Sequence, residues 1–125
     1  MGNRPVILVI EDEPLIGMVI ADCVEDAGCL VLGPVGDASS AVALAQKGSF
    51  DAALLDANLA GSSVHGIADL LTAAGKPFAF VTGYGREAIS KRYRDARVLT
   101  KPFDEEELCQ LVRDLVACRD PAAAG

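Results

Sequence analysis

Five side chains able to do chemistry each follow a short apolar run. Glu11 and Asp12 come after VILVI, Asp56 after DAALL, Thr82 after PFAFV and Lys101 after RVLT. Runs rich in apolar and β-branched residues read as strands buried on both faces, as in a parallel sheet. In such sheets ligands bind outside the carboxyl ends of the strands, which is where these residues fall. Carboxylates brought together there repel one another, and burial sharpens the repulsion. Lys101 supplies one compensating charge. A hard divalent cation would supply the rest, and Mg²⁺ favours a few carboxylates, retained waters and a phosphate oxygen. A carboxylate held beside such a cation and a lysine is a nucleophile toward phosphorus, giving an acyl phosphate. Cation and lysine would also neutralise charge on the transferring group.

The elements that must position these residues follow from the pattern. Pro5 and VILVI form the first strand. Glu13-Pro14 starts a helix with proline in its first turn, with Ile16, Val19, Ile20, Cys23, Val24 and Ala27 at helical spacing and Gly28 as the stop. Leu30 to Val35 is a second strand, marked as an edge by Gly33-Pro34. Ser39 or Ser40 caps a short helix to about Gln46. Phe50 to Asp56 is the third strand, and Ser62 or Ser63 opens a helix to about Ala73. Phe78 to Val81 is the fourth strand. Arg86 to Arg92 carries only a thin helical stripe. Arg97 to Leu99 is the fifth strand, and Asp104 with Glu107 makes a capping box ahead of Leu108, Leu111, Val112 and Leu115. Five strand–helix alternations predict an α/β fold, a doubly wound (βα)5 sandwich on a parallel sheet.

In this order, Glu11-Asp12, Asp56, Thr82 and Lys101-Pro102, each at a strand end, closely resemble the receiver domain of two-component response regulators, from about Pro5 to Cys118. The resemblance implies a flavodoxin-like five-stranded sheet of strand order 2-1-3-4-5. It implies that Asp56 is the phosphoacceptor, taking a phosphoryl group from a histidine kinase phosphohistidine in a Mg²⁺-dependent reaction. Asp12 would bind Mg²⁺ directly, with Glu11 beside it and the Asn58 backbone carbonyl as a further ligand. Lys101 would salt-bridge Asp56 and then the phosphoryl oxygens, Thr82 would turn its hydroxyl to the phosphoryl group, and the bond before Pro102 would be cis. Partners would be a sensor histidine kinase, or a histidine phosphotransfer protein, and an unidentified downstream protein. The chain would catalyse only its own phosphorylation and dephosphorylation, signalling by protein contact or serving as a phosphate shuttle or sink.

Two departures stand out. Receivers usually place an aromatic residue in strand five, three positions before the lysine; here that position is Val98. Strand four carries Phe80-Val81-Thr82-Gly83-Tyr84, which resembles a stand-alone receiver subgroup known by a Phe-Ala-Thr-Gly-Tyr motif. Asn58-Leu59-Ala60-Gly61 also lacks the proline common after the phosphoacceptor. These features make Tyr84 the candidate reporter of phosphorylation beside Thr82, followed by a mobile segment over 86–92. Pro14, Leu15, Met18 and Phe103 are either a kinase-docking patch or ordinary exposed apolar residues. Glu13 is read as a helix cap, Asp51 as a turn residue and His65 as a solvated histidine.

The whole chain bounds these readings. Its 125 residues suit one receiver domain with a core near 5–118, no output domain and a frayed tail over 119–125. A charge of −7 lacks the basic stripe of a nucleic-acid binder, so no direct DNA binding is expected. No run approaches the ~20 apolar residues of a membrane helix, and the expected compartment is the cytoplasm. The four cysteines have no metal-ligand spacing and read as buried or half-buried thiols. Three other functions fit less well. A degenerate receiver serving only as an interaction module would not need every site residue present. A flavin binder would need a phosphate-cradling loop where Glu11-Asp12-Glu13 stands. A dehalogenase-type phosphatase would need an acid where Asn58 stands.

Overall fold

A computed structural model gives the architecture, with residues 4–59, 64–83 and 89–118 described. The element order is β1 (Val6–Ile10), α1 (Pro14–Asp26), β2 (Leu30–Val35), α2 (Ala38–Lys47), β3 (Ala52–Asp56), α3 (His65–Ala73), β4 (Phe78–Thr82), a 3₁₀ turn (Lys91–Tyr93), β5 (Arg97–Thr100) and α4 (Glu105–Cys118). The strands form one parallel sheet of order β2-β1-β3-β4-β5. The order reverses between β1 and β3, which places the crevice for a ligand at their carboxyl ends.

Strand alternation divides the core in two. Ile7, Val9, Leu54 and Val81 pack on one face with Ile20 and Val24 of α1 and Leu108, Val112 and Leu115 of α4. Leu8, Ile10, Leu55 and Phe80 pack on the other with Ala41 and Ala45 of α2, Ile67, Ala68 and Leu71 of α3, and Ile89. Every residue of β3 is buried, as its central position requires. Fully burying one large apolar side chain is worth about 1.5–3 kcal/mol, so these two faces hold the strand ends rigidly.

Several boundaries differ from the sequence pattern. The cap of α2 is Asp37, whose carboxylate accepts the Ser40 N–H at 2.8 Å; Ser39 and Ser40 lie inside the helix. Aspartate outcompetes them because its charge also meets the helix dipole, and that bond holds the Asp37 carboxyl below its usual range. Among the described residues α3 begins at His65, after Val64 and without a side-chain cap; Ser62 and Ser63 lie outside the described residues. Val19 is 39% exposed rather than in the α1 core. The described part of the Arg86–Arg92 pattern forms no α-helix: Ile89 and Ser90 are irregular and Lys91–Tyr93 make one 3₁₀ turn. Too few apolar residues recur there to anchor a longer helix. Cys23 and Cys29 are buried and Cys109 half-buried, but Cys118 is exposed. Among the described residues no helix is long and apolar enough to cross a membrane.

Edge strand β2 crosses its neighbour through Gly33. Its φ of 110° is one that side-chain-bearing residues rarely adopt, and a Cβ there would lie 2.7 Å from the Val9 carbonyl oxygen. The register between β1 and β2 shifts at this point, between Leu8 and Ile10.

Candidate functional site

At the carboxyl end of β1 the sheet continues one residue further, because the Glu11 N–H donates to the Val35 carbonyl at 2.9 Å. That bond turns the Glu11 side chain fully inward. Glu11 Oε2 accepts the Glu13 N–H at 3.1 Å, so Glu11 satisfies a backbone donor at the entrance to α1. Glu13 occupies the cap position, yet its own side chain makes no cap hydrogen bond. It instead lines a cavity of about 270 Å³ with Asp56, Asn58, Gly83 and Lys101. Glu13 is thus a fourth acid of the site, which the helix-cap reading had set aside.

Asp56 ends β3 and is 4% exposed. Its Oδ1 accepts the Asn58 N–H at 3.0 Å, an Asx-type turn that fixes the carboxylate. One carboxylate oxygen from each of Glu11, Asp12 and Asp56 lies within 4.8 Å of the others. Lys101 enters from the end of β5, where its N–H donates to the Thr82 carbonyl at 2.7 Å. Its Nζ stands 2.9 Å from Glu11 Oε1 and 3.7 Å from Asp56 Oδ2. Among the described residues no donor is aligned on Glu11 Oε1 for a hydrogen bond, so the ammonium meets that buried atom as a charge. The Lys101–Pro102 peptide is cis.

The electrostatics follow from this crowding. Burial pushes Asp56 up to about 7; the Asn58 N–H opposes the rise, Glu11 adds to it by hydrogen bonding and charge, and Lys101 offsets part. For Lys101, burial alone would lower the ammonium, but Glu11, Asp56 and Glu13 together raise it. The donor set is all oxygen, with more negative charge than one ammonium balances, which fits a hard divalent cation.

Thr82 is buried at the end of β4, one position past Val81, the strand partner of Asp56. Thr82 pairs with Thr100 in β5, and Val98 with Phe80. Tyr84 lies outside the described residues. His65 is not a solvated histidine. It is half-buried, its Nε2 accepts the Ser90 N–H at 2.9 Å, and its ring stacks on Tyr93. A lone histidine in a helical first turn gave no signal of this, because its partner lies 25 residues away. Pro14, Leu15 and Met18 are exposed, Leu15 by 77% and Met18 by 62%, while Phe103 is half-buried against the core.

The family described as the response regulator receiver domain matches residues 7–113 of this sequence. The chain belongs to that family. Receiver-domain regulators are signalling proteins rather than conventional enzymes. It is 32% identical over 110 residues to the phyllosphere-induced regulator PhyR of Methylorubrum extorquens, covering 85% of this chain and 41% of that one. The chain spans about half the length, or less, of the curated relatives it matches. Among solved structures it is similar to SdrG from Sphingomonas melonis Fr1, with a TM-score of 0.79 and 36% identity over 95% of this chain and 98% of that one. The fold is also shared with the receiver domain of the sensor histidine kinase PA1611 from Pseudomonas aeruginosa PAO1, at 24% identity and a TM-score of 0.74, covering 92% and 99% of the two chains. That domain was solved with a magnesium ion coordinated in its active-site cleft.

Proposed function

We propose that this receiver accepts a phosphoryl group from a phosphohistidine onto Asp56 with Mg²⁺ bound. The observation that carries the reading is the buried Asp56 carboxylate, set among Glu11, Asp12 and Lys101 and pushed up to about 7. A carboxylate so crowded would give up its proton more readily beside a bound hard cation, and in its ionised form Asp56 is a nucleophile. Asp12 and Asp56 would hold Mg²⁺, with Glu11 beside them and the Asn58 carbonyl completing the protein ligands. The bound cation would supply charge neutralisation to the carboxylates and the phosphoryl oxygens.

The chain's own residues supply the rest. The Asn58 N–H holds Asp56 Oδ1, which leaves Oδ2, the oxygen facing Lys101, as the attacking atom. As Oδ2 bonds to phosphorus, the phosphorus–nitrogen bond breaks and its electron pair returns to the donor imidazole, which takes up a proton. Lys101 follows the charge onto the phosphoryl oxygens, and the Thr82 hydroxyl hydrogen bonds one of them. Water hydrolyses the acyl phosphate later.

Docking of the donor is assigned to α1. Leu15, Ile16, Val19, Pro102 and Phe103 line an apolar groove of about 470 Å³, and Glu13 and Lys101 line both it and the cavity at Asp56. Pro14 and Met18 flank it on the exposed side. The groove therefore adjoins the phosphoacceptor cavity, where a histidine on a partner helix must arrive. The remaining expectations join the proposal: a receiver domain in the cytoplasm, akin to the Phe-Ala-Thr-Gly-Tyr subgroup, acting by protein contact or as a phosphate shuttle or sink.

Incubation with acetyl phosphate and Mg²⁺, followed by intact mass, tests the reading. One added phosphoryl group per chain, abolished by Asp56→Asn and by chelation, is expected. No uptake from acetyl phosphate or from any member of a histidine-kinase panel would reject it in favour of an interaction-only module.

A further inference from the structure

We propose that His65 is a positioning residue for the phosphorylation site, because by accepting the Ser90 N–H it fastens the segment after Asp56 to the segment after Thr82. The proposal rests on the phosphoacceptor reading and deepens it. Asp56 ends β3, and the chain from there enters α3 at His65. Thr82 ends β4, and the chain from there reaches Ser90 ahead of the 3₁₀ turn. The 2.9 Å bond from Ser90 N–H to His65 Nε2 joins the far ends of these two connections.

The bond sits in a packed setting. The His65 ring stacks on Tyr93, with centroids 6.2 Å apart and planes 16° apart, and leans on Phe80 of β4 at 6.4 Å. Tyr93 in turn packs edge-on against Phe78 and Phe80. Asp69, one helical turn past His65, accepts from the Tyr93 hydroxyl and pairs with Arg92 at 2.8 Å. The Arg92–Asp69 pair is about half exposed on both sides, and such pairs contribute little. The neutral imidazole acceptor is half-buried, and leaving the Ser90 donor unmet there is costly. Leu59 and Val64, which flank the path from Asp56 to His65, share one core cluster with Ile89.

A phosphoryl group on Asp56 adds negative charge and three acceptor oxygens. Thr82 and Gly83 are the backbone that must meet them. How far that backbone can move depends on where its connection is fastened, and the fastening point is on the helix that follows Asp56 itself. In strand five Val98 offers no polar or aromatic side chain for this task, and its strand partner is Phe80, the ring against which His65 leans.

Three variants of the full chain separate positioning from bulk. His65→Leu keeps volume and removes the acceptor, and His65→Gln restores an acceptor at a similar reach. Ser90→Pro removes the donor where φ is already −57°, within proline's range. With acetyl phosphate and Mg²⁺, the lifetime of the phosphoryl group should change at least threefold in His65→Leu and in Ser90→Pro. The double variant should match either single one, and His65→Gln should stay within twofold of the parent. Lifetimes unchanged in both single variants, an additive double variant, or a Gln variant that behaves like Leu would each overturn the proposal. Should His65→Leu fail to fold, Ser90→Pro decides. Should the parent take no phosphate, the functional reading fails by itself. Amide resonances then decide the proposal: His65→Leu should shift those of Asn58 and Gly83, and shifts confined to α3 and residues 90–93 would reject it.

Discussion

Lys101 Nζ lies 2.9 Å from Glu11 Oε1 and 3.7 Å from Asp56 Oδ2, so the lysine is held by Glu11 first and by Asp56 second. The salt bridge to Asp56 that the sequence resemblance implies is present, and the one to Glu11 is shorter. Each carboxylate accepts one backbone N–H, that of Glu13 at Glu11 and that of Asn58 at Asp56, but the Glu11 side chain is the more fully buried of the two. The ammonium therefore settles nearer the carboxylate that needs it more. It remains close enough to shift onto a phosphoryl group without leaving the site.

Removing the Glu11 charge should release Lys101 toward Asp56. In Glu11→Gln, Asp56 loses a like charge and gains a closer ammonium, and both changes favour its ionised form. Its midpoint should fall below 7 by about tenfold or more in proton affinity, the scale set by one close charge. Carbon-detected NMR titration of the Asp56 carboxyl, without divalent cation, reads this directly. A midpoint that stays near 7 would show that Glu11 does not govern the lysine.

The raised Asp56 also makes a stability prediction. Its folded value of about 7 exceeds the ordinary 3.8, so between these values the folded chain binds more protons than the unfolded one. Stability must then fall as pH rises through that window, and the loss is complete above about 7. Asp56→Asn escapes the loss. In chelator it should be more stable than the parent at pH 8 by on the order of a few kcal/mol, at about 1.4 kcal/mol per tenfold change in proton affinity. The gain should shrink toward pH 4. Urea unfolding at both pH values checks it, and an equal gain at the two would remove Asp56 ionisation as the cause.

The parallel α/β layout and the strand-end placement of Glu11, Asp12, Asp56, Thr82 and Lys101 were legible in the sequence, because buried parallel strands announce themselves as apolar runs and their last residues are fixed by where each run stops. The strand order came only with the receiver resemblance, since apolar runs do not say which strands are neighbours. The Asp37 cap was missed because two serines stood one turn too late and competed for the role. Glu13 was read locally, as a helix cap, although the folded chain sets it on the cavity wall. His65 depended on Ser90 and Tyr93, contacts between distant segments that no periodicity encodes. Of the thin 86–92 stripe only residues 89–92 are described, and they run into one 3₁₀ turn.

Gly33 should tolerate no side chain. At φ of 110°, with the Val9 carbonyl oxygen 2.7 Å from a built Cβ, alanine must strain the backbone and push β2 away from β1. Gly33→Ala should destabilise the fold by more than about 1 kcal/mol, the scale on which alanine at positive φ exceeds its entropic benefit. Gly66→Ala is the control: nothing lies near its Cβ, and its place in α3 favours alanine. It should match or exceed the parent. Denaturant midpoints of the two variants decide, and equal midpoints would mean that the β1–β2 register shift absorbs the added methyl group.

Mg²⁺ affinity should rise with pH and then level off, with the bend set by Asp56. Below about 7 the carboxyl holds a proton that a cation must displace, so affinity should change by up to about tenfold per pH unit there. Above the bend the carboxylate is already ionised and the dependence should vanish. Calorimetry at pH 6 in two buffers of different ionisation enthalpy should detect close to one proton released per Mg²⁺ bound, and at pH 8.5 almost none. Asp56→Asn should bind Mg²⁺ more weakly at high pH, because one anionic ligand is gone, and should lose the proton release at pH 6. If that variant still released a full proton, the displaced proton would belong to another carboxylate of the cluster, and the assignment of the raised value to Asp56 would fail.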